Sequence, residues 1–119
     1  MSGPRLDGFS SVEDLAQQFA VFNFNLQPRR TFDVLIGFYQ HGNYEGESFV
    51  LLREPATGKL YEVNAYHCSC YGLDGQFEPE ETTVTAIRRR LECHFAAMFS
   101  EAQLALLRGG LDAIERGEL

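Results

Sequence analysis

Ser48-Phe49-Val50-Leu51-Leu52-Arg53 decides the fold. Four consecutive apolar residues in a run this short read as a buried strand, so this one is predicted to be central in a sheet. Glu54-Pro55-Ala56-Thr57-Gly58-Lys59 follows, with a proline that presets φ and a glycine able to take φ > 0, and reads as a turn. Leu60-Tyr61-Glu62-Val63-Asn64-Ala65-Tyr66 is then the returning strand of a hairpin. Upstream, Phe32, Val34, Leu35, Ile36, Phe38 and Tyr39 form a further strand, joined to the central one by the polar loop Gln40–Glu47. The expected sheet is a small antiparallel meander of about three strands, since no βαβ spacing separates them.

Helical patterns flank the strands. Ser10 or Ser11 suits an N-cap, and Val12, Leu15, Ala16 and Phe19 recur at helical spacing, giving a first helix that ends near Phe22. Asn23–Arg30 reads as connection. Pro79, with Glu78, Glu80 and Glu81 around it, suits a helix start; Thr82 or Thr83 is the alternative cap. Val84, Ile87, Leu91, Phe95 and Met98 share the next helix face. Ser100-Glu101-Ala102-Gln103 restarts the pattern with capping-box spacing, and Leu104, Leu107, Leu111 and Ile114 form a second seam. Gly109-Gly110 interrupts that seam and marks a kink, a helix end or a close contact. The expected architecture is α+β: one N-terminal helix, the meander, and two C-terminal helices packed on one sheet face. Residues 1–119 read as a single domain, with 1–9 as a flexible N-terminus and 99–119 as a C-terminal helical extension.

Composition bounds the function. In 119 residues the chain carries 45% hydrophobic residues, ten Phe and five Tyr, which suits a globular core. Its formal charge of −7 opposes binding to a phosphate backbone, and Arg88-Arg89-Arg90 is too short to reverse that. No apolar run approaches the ~18 residues of a membrane span. Met1–Gly8 lacks a signal-peptide apolar region, so a cytoplasmic location with reduced thiols is expected.

The chemistry-bearing residues cluster in His67-Cys68-Ser69-Cys70-Tyr71-Gly72-Leu73-Asp74-Gly75-Gln76-Phe77-Glu78-Pro79-Glu80-Glu81. Thiolates and imidazoles are common metal ligands and nucleophiles. A zinc site would draw on Cys68, Cys70 and His94, with His41 or water as the fourth ligand. At about 100° per residue, His94 lies about 60° from the centre of the helix face and Cys93 about 160° away, so the two do not point together. Cys68 or Cys70 with a histidine also suggests a cysteine-dependent hydrolase, although no spacing singles out a pair. The plainest reading is packing, because free cysteine behaves as a small hydrophobe. No cofactor is expected on that reading, and Cys93 is expected to be exposed.

Aromatic residues in the loops suggest a contact surface, since tyrosine is a favoured interface anchor. The candidate partner-binding residues are Tyr44, Glu45, Tyr71, Asp74, Phe77 and Glu78. The Leu104/Leu107/Leu111/Ile114 seam has the 3, 4, 3 spacing of a coiled coil and is a candidate homodimer contact.

Tyr44-Glu45-Gly46, Phe49-Val50-Leu51, Gly58-Lys59-Leu60-Tyr61-Glu62-Val63 and the run from His67 to Thr83 together resemble small bacteriophage and prophage proteins of unassigned function. The resemblance spans about residues 32–92 and rests chiefly on His-Cys-Ser-Cys-Tyr-Gly-Leu-x-Gly-Gln-(Trp/Phe)-x-Pro-Glu-Glu. The chain departs from it at Phe77, where the pattern has Trp, and at Tyr66, where a small residue is usual. Cys93–Leu119 lies outside the pattern. The resemblance implies a phage setting and a protein that binds and inhibits or redirects a host or anti-phage defence protein. It brings no reaction and no catalytic residues.

Overall fold

In chain order the elements are strand β1 (Arg5–Asp7), helix α1 (Val12–Phe19), strands β2 (Asn25–Leu26), β3 (Arg30–Thr31), β4 (Asp33–His41), β5 (Gly46–Arg53), β6 (Leu60–His67) and β7 (Glu80–Thr82), helix α2 (Val84–Leu91), a 3-10 helix His94–Met98, and helix α3 (Glu101–Glu115). The computed structural model describes residues 4–20, 25–26, 30–41, 45–68 and 72–119, with the side chains at 25, 26, 30, 31, 41 and 94 excepted. The run Phe49-Val50-Leu51-Leu52 lies in β5, the middle strand of a five-stranded mixed sheet of order β1-β4-β5-β6-β7. Side chains alternate across a strand. Val50 and Leu52 therefore enter a cluster with Leu15 and Phe19 of α1, while Phe49 and Leu51 enter another with Ile87 of α2 and Leu107 of α3. The unbroken apolar run reflects cover on both faces of the sheet.

This corrects the expected three-stranded meander with its helices on one face. The class is α+β, but β1 pairs in parallel with β4, and α1 lies between them in sequence on the face opposite α2 and α3. Strand β1 falls in the segment read as an N-terminal tail. It has three residues and a distant partner, so no local pattern announces it. Strand β7 is an acidic three-residue edge that pairs with Leu60–Glu62. Its acids and Pro79 imitate a helix start, but the helix begins only after Thr83, whose hydroxyl accepts from the Ala86 amide at 3.0 Å.

Two glycines let helices approach the sheet. A Cβ on Gly37 of β4 would stand 2.8 Å from Leu15 Cδ1 of α1. On the other face, a Cβ on Gly110 of α3 would stand 2.6 Å from Ile36 Cδ1. The Gly109-Gly110 pair is thus a close contact inside an unbroken helix. Between Val34 and Ile36 the register shifts, leaving Leu35 as an extra residue, and Leu35 and Ile36 both feed the α2/α3 face.

Helix ends follow local chemistry. Ser11 caps α1 by accepting from the Asp14 amide at 3.0 Å. The helix stops at Phe19 because Ala20 turns left-handed (φ 57°), earlier than the expected Phe22. Ser100 and Gln103 form the expected capping box of α3. Helix α2 ends at Leu91, so no single helical face reaches Met98. Phe95 still packs edge-on against Phe49, but Met98 is exposed. The helical phase assumed for Cys93 and His94 therefore does not apply. Cys93 is exposed because the chain has already left α2.

The Leu104/Leu107/Leu111/Ile114 seam faces the chain's own sheet. Leu107 and Leu111 are fully buried against the chain's own sheet, and Leu104 and Ile114 pack beside them.

Candidate functional site

The end of β6 brings His67 onto the α1 face. Its Nδ1 lies 3.0 Å from the Cys68 carbonyl, which only accepts, so Nδ1 carries the proton. Nε2 is hydrogen-bonded to the Tyr39 hydroxyl at 2.7 Å. The imidazole covers Gly46, its cross-strand neighbour, where a Cβ would stand 2.4 Å from Nε2. Burial raises the Tyr39 phenol above its ordinary value. Both ring nitrogens are thus engaged, and His67 is braced between strands β4, β5 and β6. The Cys68 thiol beside it is half-buried.

From Gly72 to Glu78 the chain forms a plug on the same face. Leu73 and Phe77 are buried, and Phe77 meets Phe19 edge-on at 5.6 Å. Phe77, expected at a partner surface, is a core residue; the glycine-flanked segment around it folds inward to cover a face that α1 alone is too short to fill. Gly75 makes the intervening turn at φ 82°, closed by the Gln76 amide donating to the Leu73 carbonyl at 3.1 Å. The Gln76 side chain ties this plug to the sheet. Its Oε1 accepts from the Tyr66 amide and its Nε2 donates to the Gly72 carbonyl, each at 3.0 Å. Asp74 and Glu78 remain exposed.

The opposite face carries a different feature at the same end of the sheet. Tyr66 is 51% exposed and Met98 37%, and they are the exposed large hydrophobic side chains among the described residues. The Tyr66 hydroxyl donates to Glu45 Oε2 at 3.0 Å, and this bond to a carboxylate raises the phenol's pKa. Glu47 stands opposite Tyr66 on β5. Glu47 also lines a cleft with Phe38, Gln40, Phe49, Met98 and Phe99. The room inside the cleft is only about 10 Å³, far less than a usual small-ligand pocket of roughly 300–1,000 Å³. Gln40 Nε2 donates to the buried Gln103 Oε1 at its wall.

Further along that face, Glu62 is buried in β6. Burial alone would raise its pKa. Hydrogen bonds from Arg90, Thr82 and Asn64, with the Arg90 charge, outweigh burial and hold it below the ordinary carboxylate value. The Arg90 guanidinium also lies 4.5 Å above the Phe95 ring. The sequence marks Glu62 only as one acid inside an apolar strand, and Arg90 as one of three arginines with no stated partner. Arg88 is committed elsewhere, to Asp112 and Glu115, each at 2.6 Å.

Of the proposed partner-binding residues, Tyr44 and Tyr71 lie outside the described residues. Of the proposed zinc ligands, so do Cys70 and the side chains of His41 and His94. Among the described residues no group of three His, Cys, Asp or Glu is placed to hold a metal ion. No helix is long and apolar enough to cross a membrane, among the same residues. Neither a protein-family model, nor a curated protein, nor a solved structure matches the chain.

Proposed function

We propose that the chain is a non-enzymatic binding protein of phage origin, acting in the cytoplasm of an infected bacterium to inhibit or redirect a host or defence protein. The binding part of this reading is carried by one observation: Tyr66 and Met98 are exposed on one sheet face and are linked through Glu47. Glu45 holds the Tyr66 ring in place, which lowers the entropy lost when a partner packs on it. The phage setting rests on the sequence resemblance.

Site-directed photocrosslinking in bacterial cells tests it. A photoreactive residue at the exposed Ala97, next to Met98, should trap a discrete bacterial protein. One at the exposed Gln17 on α1 should not. Tyr66→Ala should abolish the adduct without changing the thermal midpoint. Equal adducts from both positions, or an adduct indifferent to Tyr66, would remove the reading.

A further inference from the structure

Resting on that reading of the Tyr66–Met98 face, we infer that its occupant is an arginine-bearing segment of a partner protein. The first argument is charge. Glu45 and Glu47 flank Tyr66, and neither forms an ion pair with a described base. Among the described residues five acids are paired, Glu62 with Arg90, Asp112 and Glu115 with Arg88, Glu81 with Lys59, and Glu118 with Arg116, and Glu45 and Glu47 are distinguished from the other acids by standing beside the exposed Tyr66 ring. With a formal charge of −7, a cationic partner is drawn to the chain, and these two carboxylates stand beside its exposed ring.

The second argument is an internal precedent on the same sheet face. There Arg90 pairs with the Glu62 carboxylate while lying 4.5 Å above the Phe95 ring. One guanidinium satisfies a sheet-borne carboxylate and an aromatic face together. Glu62, Asn64 and Tyr66 alternate along one side of β6, so Glu47 and Tyr66 repeat the carboxylate-plus-ring arrangement beyond the reach of α2. No arginine of a described helix covers it. A guanidinium from outside can stack on Tyr66 and bond Glu47 or Glu45, while a neighbouring apolar side chain packs on the exposed Met98. Arginine suits this better than lysine because its planar fork stacks and bonds at once.

Selection of random dodecapeptides displayed on phage, against the full chain, tests the inference. Selected peptides should be rich in arginine next to an apolar residue. Their synthetic versions should bind at least tenfold more weakly to the double variant Glu45→Gln/Glu47→Gln and to Tyr66→Ala, and should shift the backbone amide resonances of Glu47, Tyr66 and Met98. Arginine replaced by lysine in the peptide should weaken binding. Peptides without excess positive charge that need Tyr66 and Met98 but ignore the double variant would overturn the arginine inference and leave the surface standing. Peptides indifferent to Tyr66→Ala and Met98→Ala, or no selected peptide, would overturn the surface and the inference with it.

Discussion

The two faces of the sheet bury comparable aromatic cores but are covered by different means. The α2/α3 face lies under capped, amphipathic helices, and its ring contacts run from Phe38 and Phe49 to Phe95 and Phe99. The α1 face lies under an eight-residue helix and the irregular plug of residues 72–78, with Phe9, Phe19 and Phe77 in contact in series, tilted and edge-on. Its cover is held by single polar contacts, Tyr39 with His67 and Gln76 with Tyr66. Regular helices bury a face through many equivalent side chains. A loop buries it through a few, each fixed by its own hydrogen bond. The faces share β5, whose residues alternate between them, so they should fold as one unit.

The largest test of that coupling is a pair of truncations, Phe19→Ala on the α1 face and Phe49→Ala on the other. Both rings are almost fully buried. Each change should cost about 3–5 kcal/mol. Urea unfolding followed by circular dichroism and by tyrosine fluorescence should show one coincident transition for each. A Phe19→Ala cost below about 1 kcal/mol, or transitions that separate between probes, would show that the α1 face is an accessory layer and not a half of the core.

The contrast also explains what was legible in the sequence. Strands β4, β5 and β6 were readable because their apolar runs and the Pro55–Gly58 turn are local signals. Helix α3 was readable from Ser100, Gln103 and the spacing of its leucines. Strand β1 was not, because a three-residue parallel strand takes its identity from a partner some thirty residues away. The inward turn of Leu73 and Phe77 was not, because isolated apolar residues among glycines and acids have no period. The expected continuation of α2 to Met98 failed because its apolar spacing persists through a 3-10 turn that breaks the helix. At the candidate site the sequence pointed to aromatic residues of the loops, but Phe77 among them is buried, and Tyr44 and Tyr71 lie outside the described residues. The site's centre at Tyr66 was not legible, since only cross-strand register places Glu47 and Tyr66 together.

An intermediate effect is expected where the α2/α3 face carries a buried charge. Arg90→Ala leaves the Glu62 carboxylate without its main partner and should cost about 1–3 kcal/mol at neutral pH. Because the folded-state pKa of Glu62 is lowered, its ionised form adds stability above the pKa of the unfolded chain, and that stability is lost as pH falls through the folded value. The stability gap between the wild type and Glu62→Gln should therefore be full at pH 6–7 and shrink below about pH 4, where carboxyls in unfolded chains already protonate. Guanidinium melts of both proteins across that range measure it. A gap that widens on acidification would mean Glu62 is held neutral, and that burial, not Arg90, dominates its environment.

The smallest effect should come from the polar tether of the α1-face plug. Gln76→Ala removes the bonds to the Tyr66 amide and the Gly72 carbonyl, but both groups lie near solvent and water can replace the lost partner. A cost of about 1 kcal/mol follows. Amide hydrogen exchange separates tether from core more sharply than global stability does. Exchange at Tyr66 should quicken in Gln76→Ala while amides of α3 stay unchanged, because the plug can loosen without opening the other face. In Gln76→Glu a carboxylate oxygen still accepts from the Tyr66 amide, so that site should stay slow, while the lost donor to Gly72 leaves the plug partly released. Equal acceleration at Tyr66 in both variants would mean the protection comes from burial by Leu73 and Phe77. The loop would then hold its face by packing, as the helices do, and the difference between the two faces would be one of regularity alone.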